Sequence, residues 1–373
     1  MQLSYNQEIL ARFMVKYPVV DMRTTQMVIE GAMSEHPFAK NALTRGLYTV
    51  RGMSKMGLIC RRSDGFYSLR KAVADEFPES EPYYKVNGNP KTRKRIADVA
   101  WIAAVMYAMG AKIDYLEDEI SFACSTVWRK LNPVVSNTSR YAGVLNLPIG
   151  RFAVYDVSDT DMEWQREAEE SLFTETPKSK NVSLAGAIML TDKDVCEQTI
   201  DITEESLKKS RKKFYKRSNR KVNLNNFAPI SVSANFKQAL LLSYEDFTVH
   251  LTQMRLFKTH RMMFDISYGI GEEFTYFEDS IFDGVVGGKK AFLYFFNDIV
   301  KLMKMIAVIN SNAAKEVVII YNYQFEEVIK YFFDGQAVLY ELDETFYKER
   351  RLDSYGKNSF GSNKRIETAG TAD

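Results

Sequence analysis

A chain of 373 residues has room for two or three domains, and 46% hydrophobic with 26% charged residues exclude disorder of the whole. Fifty Lys and Arg against 48 Asp and Glu leave a net charge of +2, so only local clusters of charge can point to a partner. Cys60, Cys124 and Cys196 form no CxxC pair or disulfide framework, the polar start MQLSY lacks a signal-peptide core, and the apolar run 101–109 is too short for a bilayer, so the expectation is a cytoplasmic protein with no membrane partner.

Ile9, Leu10, Phe13 and Met14 predict a helix over residues 8–17, stopped by Pro18. Thr24 is the expected N-cap of a second helix that buries Met27, Val28 and Ala32. A third helix is predicted over 38–56. Leu43, Leu47, Val50 and Ser54 share one arc of it; Asn41, Thr44, Arg45, Tyr48, Arg51 and Lys55 share another. Gly46 and Gly52 argue against an unbroken helix, and Gly57 suits its left-handed end. Asp64-Gly65 then predicts a hairpin flanked by Arg61 and Arg62, with Arg70 and Lys71 extending the positive edge.

That order predicts a winged helix-turn-helix domain over residues 1–75. Its third helix would enter a major groove and its hairpin would touch the phosphate backbone. The same order also serves winged helices that bind protein. Residues 76–135 are expected to be linker and connecting helices, with Pro78, Pro82, Gly88 and Pro90 in the connector and a helix from 96 to near 110. Lys91, Arg93, Lys94 and Arg95 oppose the dipole at that helix start, a cost that a nearby phosphate would offset.

Residues 136–352 predict an α/β domain with a mainly parallel sheet, so the fold class is α/β overall. Strands are expected at 152–157, 187–190, 317–321 and 338–340, and helices at 162–173, near 194, at 291–308 and at 325–333. Gly287-Gly288 reads as a flexible turn; no GxGxxG or GxxxxGK[ST] motif is present, and residues 353–373 read as a disordered tail. The stretch 208–221, KKSRKKFYKRSNRK, has no acid. Its Lys208, Lys209, Arg211, Lys212, Lys213, Lys216, Arg217 and Arg220 suit a nucleic-acid backbone, or else a solvated loop.

His36, His250 and His260 lack ligand spacing, and no metal or cofactor is expected. Asp156, Glu163, Glu167, Glu169 and Glu170, and Asp265, Glu272, Glu273, Glu278, Asp279 and Glu316 with Lys315, could hold Mg²⁺ only if they converged. No catalytic residue is nominated among them.

The segment TTQMVIEGAMSEHPFAKNALTRGLYTVRGMSKMGLICRRSDGFYSL, residues 24–69, resembles the N-terminal winged helix of the replication-relaxation family. That family belongs to bacterial plasmids, phages and integrative elements, joins a winged helix to an α/β domain, and is associated with replication or transfer of the element. The resemblance implies a recognition helix carrying Arg45, Arg51 and Lys55 and a wing carrying Arg61 and Arg62. The expected function is a double-stranded DNA-binding accessory or regulatory protein of a mobile element, paired as a homodimer and meeting other replication or transfer proteins. The alternatives are a Mg²⁺-dependent endonuclease or nickase acting through the second domain, and a protein-interaction adaptor.

Overall fold

The computed structural model describes residues 2–33, 43–77, 89–108, 110–113, 120–132, 140–147, 150–158, 164–165, 184–210, 221–222, 238–244, 247, 260–277, 281–311 and 316–343. N-terminal helices and a short hairpin precede two larger mixed sheets.

Helix α1 (Tyr5–Lys16) buries Leu10, Phe13 and Met14, as its spacing predicts, and ends before Pro18. Helix α2 (Met22–Met33) starts before Thr24. Its cap is Asp21, whose Oδ1 accepts the Thr24 N–H at 2.6 Å, while Thr24 itself is buried in the first turn. Helix α3 (Leu43–Lys55) runs unbroken through both glycines. A Cβ at Gly46 would lie 2.5 Å from Gln26 Cα, so the missing side chain is what lets α3 cross α2 so closely. The inner face of α3 is Val50 and Met53, not Ser54, which is exposed. Gly57, at φ +69°, closes the helix: Leu58 N–H donates to Met53 C=O at 2.9 Å and Gly57 N–H to Ser54 C=O at 3.0 Å.

Strands β1 (Ile59–Arg61) and β2 (Tyr67–Leu69) pair antiparallel. The tip is Ser63-Asp64-Gly65, one residue longer than the turn read from Asp64-Gly65 alone. Arg62 N–H donates to Phe66 C=O at 2.8 Å, and Gly65 takes φ +87°. Val20 pairs with Tyr67 and adds a third short edge. After α4 (Lys71–Ala74), helix α5 (Pro90–Ala108) begins earlier than predicted. All its residues from Ile96 to Met106 are buried except the partly buried Asp98, because it is sandwiched between α2 and the first sheet.

That sheet has the order β10-β8-β6-β5-β4-β3, from β3 (Lys112–Ile113), β4 (Ser121–Cys124), β5 (Gly143–Leu147), β6 (Gly150–Asp156), β8 (Gly186–Thr191) and β10 (Gln238–Ser243). A second has the order β11-β12-β13-β14-β15, from β11 (Phe274–Tyr276), β12 (Gly284–Val286), β13 (Lys289–Tyr294), β14 (Val317–Asn322) and β15 (Val338–Leu342). The single, mainly parallel sheet expected from the sequence is thus corrected to two mixed ones. The first draws β3 and β4 from the stretch assigned to linker. In each, hairpins supply antiparallel pairs beside the parallel ones: β5 with β4 and β6, and β12 with β11 and β13. Strands β7 (Trp164–Gln165) and β9 (Lys221–Val222) form a separate pair, and β7 lies where a helix was expected.

Helices α6 (Ser125–Leu131) and α7 (Val195–Ser210) cover one face of the first sheet, where Trp128 and Ile202 meet Val144, Ala153 and Met189. Helices α9 (Ile299–Asn310) and α10 (Glu326–Phe333) cover the second sheet through Leu302, Met305, Val328 and Ile329. Helix α8 (His260–Ile270) precedes the second sheet as α5 precedes the first.

Leaving β3 aside, the two sheets repeat one plan: three antiparallel strands in sequence order, then two parallel ones. The repetition extends to single hydrogen bonds. Ala142 N–H donates to Val154 C=O at 2.7 Å, as Asp283 N–H does to Ala291 C=O at 2.8 Å. Gly143 and Gly284 hold matching registers, and a Cβ on either would fall within 2.4 Å of the neighbouring first strand.

The two sheets are stitched together just beyond β13. The expected helix over 291–308 is in fact strand β13, a bend and then α9. Asn297 sits in the bend at φ +49°, and Asp298 caps α9 by accepting from Val300 N–H at 3.0 Å and Lys301 N–H at 3.3 Å. This bend lies along β10: Leu241 N–H donates to Asn297 C=O at 3.2 Å and Ala239 N–H to Asp298 Oδ1 at 3.0 Å. The Asn297 side chain donates to Thr199 Oγ1 and Leu241 C=O, both at 2.7 Å, and accepts from the Tyr294 hydroxyl at 2.8 Å.

Candidate nucleic-acid interface

At about 100° per residue, Thr44, Tyr48, Arg51 and Lys55 fall within roughly 60° of one another on α3. All four are exposed, Tyr48 at 66%, and they stand opposite the buried Gly46, Val50 and Met53. Arg45 is also exposed but lies to one side of the stripe. Its charge reaches Glu30 of α2, whose carboxyl burial pushes up and Arg45 pulls back down. Glu30 Oε1 is buried with no hydrogen-bond partner.

On the hairpin, Arg61 is exposed, whereas Arg62 is half-buried and donates through Nε to Ser68 Oγ at 2.7 Å. Arg70 and Lys71 are exposed on its outgoing side. The hairpin is fastened to α5 at two points. Phe66 packs on Val19, Ile96 and Ala97, and Arg93 Nε meets Asp64 Oδ2 at 2.5 Å with both side chains largely covered. Burial would push the Asp64 carboxyl up, but the hydrogen bond and charge of Arg93 prevail and hold it below its ordinary value. The Arg93 guanidinium, grouped by the sequence with a phosphate contact, is therefore engaged at the hairpin tip. Nothing in local spacing links residues so far apart in the chain, and sequence reasoning missed this tie.

Asn41 lies outside the described residues, as do Arg211, Lys212, Lys213, Lys216, Arg217 and Arg220. Lys208 and Lys209 fall in the last turn of α7, their side chains outside the description.

Of the carboxylates considered for a metal, the described ones sit on separate elements or in partnerships of their own. Glu272 accepts from the Tyr340 hydroxyl, Glu316 pairs with Lys289 at 2.7 Å, Asp265 lies on α8, and Asp156 ends β6. Glu163, Glu167, Glu169, Glu170, Glu278, Asp279 and Lys315 lie outside the described residues, with His36 and His250. Among the described residues, no three His, Cys, Asp or Glu side chains are placed to hold a metal ion. None of the described helices is long and apolar enough to cross a membrane.

No family model, curated protein or solved structure matches this chain.

Proposed function

We propose that residues 1–75 are a winged helix-turn-helix that binds double-stranded DNA. The chain would then serve as a cytoplasmic accessory or regulatory protein in the replication, maintenance or transfer of a bacterial mobile element, acting as a dimer on repeated half-sites. The reading rests on one observation: the exposed stripe of Thr44, Tyr48, Arg51 and Lys55 runs opposite a buried face and beside a hairpin bearing Arg61. A helix of this kind fits a major groove, where Arg reads guanine edges and Lys neutralises phosphate. The basic stretch 208–221 adds a contact with the backbone that is blind to sequence.

The test is a salt titration of binding to a fluorescent duplex of mixed sequence, followed by anisotropy. The Arg51→Ala/Lys55→Ala double variant should weaken binding and lower the slope of log affinity against log salt by about 1, at roughly 0.9 for the phosphate that Lys55 no longer neutralises. Replacing Lys212, Lys213, Lys216 and Arg217 with alanine should weaken binding to every duplex alike. Wild-type affinity in both variants at low salt would sink the proposal. A protein-docking role draws instead on Tyr48 and Met56, 66% and 52% exposed. It is supported if the chain fails to bind duplex at any salt concentration.

A further inference from the structure

Where the N-terminal helices meet the first sheet, charged groups from three elements close on one another at the carboxyl ends of parallel strands. Asp21 and Arg23 come from the start of α2, and Asp98 and Trp101 from α5. Asp156 ends β6, and Tyr244 directly follows β10. The Arg23 guanidinium lies over the Trp101 ring at 4.0 Å and reaches the Tyr244 ring at 5.9 Å. The two rings are 5.5 Å apart, and both residues are buried. Arg23 Nε is 3.8 Å from Asp21. Asp98, three residues before Trp101 and so on the same side of α5, is the one polar position of an otherwise buried helical stretch.

The charges that act on Asp98 are those of Asp156 from β6, Asp21 and Arg23 from α2 and Lys94 from its own helix, and Tyr244 beyond β10 feels the charge of Asp98 in turn. Three carboxylates thus share a seam with two cations, Arg23 standing at its rim. Asp98 is the carboxylate carried by the sandwiched helix, so its charge is the one that burial penalises.

We propose that this seam is a proton-operated latch: a neutral Asp98 holds α2 and α5 against the strand ends, and its ionisation loosens them. The latch rests on the DNA-binding reading only for its consequence, namely that α3 and the hairpin are held rigidly at lower pH and less so at higher pH.

Burial first, and then the Asp156 charge, push the Asp98 carboxyl up to about 7 from 3.8, with Lys94 and Arg23 opposing. Between those two values the docked form keeps a proton that the opened form has lost. Docking is therefore strongest below the lower value and weakens as pH rises through the upper one. If the opened form titrates at the ordinary value, the opening equilibrium rises about tenfold between pH 6 and pH 8.

The experiment is hydrogen–deuterium exchange of the full chain without DNA at those two pH values and at a series of values below and between them, corrected for the intrinsic rate at each. Peptides from α2 and α5 should lose about tenfold in protection at the higher pH, while β14 peptides do not change. Asp98→Asn should remove the difference. Asp156→Asn, which withdraws a facing negative charge but leaves Asp98 in place, should shift the midpoint to lower pH. A wild-type seam with equal corrected protection at both pH values would overturn the latch, as would an unmoved midpoint in Asp156→Asn. Either failure leaves the duplex-binding titration untouched, so the two proposals fall separately.

Discussion

Alanine at Gly46 adds a single methyl group to α3 at the point where it crosses α2. The new Cβ would lie 2.5 Å from Gln26 Cα and 3.1 Å from Gln26 Cβ. Because the nearest atom belongs to the backbone, no rotamer change relieves the overlap, and the two helices must separate. Overpacking of this kind costs about 1–3 kcal/mol. Replacing glycine with alanine inside a helix returns about 1 kcal/mol, so the net effect is a loss of up to about 2 kcal/mol. Gly52, further along the same helix, provides the control: its added Cβ would meet only Gln7 Nε2, at an ordinary 3.5 Å. Gly52→Ala should therefore stabilise by about 0.5–1 kcal/mol. Exchange protection of α2 and α3 measures the two variants locally, without assuming that the chain unfolds in one step. Under the proposed function, Gly46→Ala also tilts the exposed stripe and should weaken duplex binding, whereas Gly52→Ala should not. Equal protection in both variants would refute the account of the helix crossing.

Asn297→Ala removes the side chain that binds Thr199, Leu241 and Tyr294 and forces alanine into a left-handed backbone. A loss of about 3 kcal/mol in urea unfolding is expected from the unpaired buried groups and the strain together. Arg93→Ala should speed exchange at residues 59–69, because the hairpin tip loses its tie to α5. In the wild type the depressed Asp64 carboxyl keeps that tie at neutral pH and releases it only as pH falls through its lowered value. A hairpin whose corrected exchange is the same at neutral and strongly acidic pH would contradict this.

Local signals carried the first helices well. The spacing of Leu10, Phe13 and Met14 and the stop at Pro18 match α1, and Gly57 ends α3 as a left-handed cap. At two places a nearby residue takes the role expected of another: Asp21 rather than Thr24 caps α2, and Met53 rather than Ser54 faces inward. The run 291–308 is apolar almost throughout, so periodicity cannot separate a buried strand from a buried helix. The punctuation lay in Asn297-Asp298, an αL residue followed by an N-cap. β12 was hidden in the same way, being three residues between Asp283 and a Gly-Gly turn. Gly287 and Gly288, both at positive φ, are the tight turn of the β12–β13 hairpin. In the candidate interface, the outward stripe on α3 was legible from the 3.6-residue period. The Arg93–Asp64 tie and the Asp98 seam were not, since each joins residues that only the tertiary fold brings together.

The splice between the two sheets bears on how this protein can be dissected. Strand β10 is an edge of its own sheet only on paper, for its outer amides are taken up by Asn297 and Asp298. A fragment ending before those residues would bare this ribbon of peptide groups to any chain able to zip onto it. Shortened versions should therefore self-associate even with the amino-terminal half intact, and soluble pieces should come only from cuts that carry residues 297–298 along.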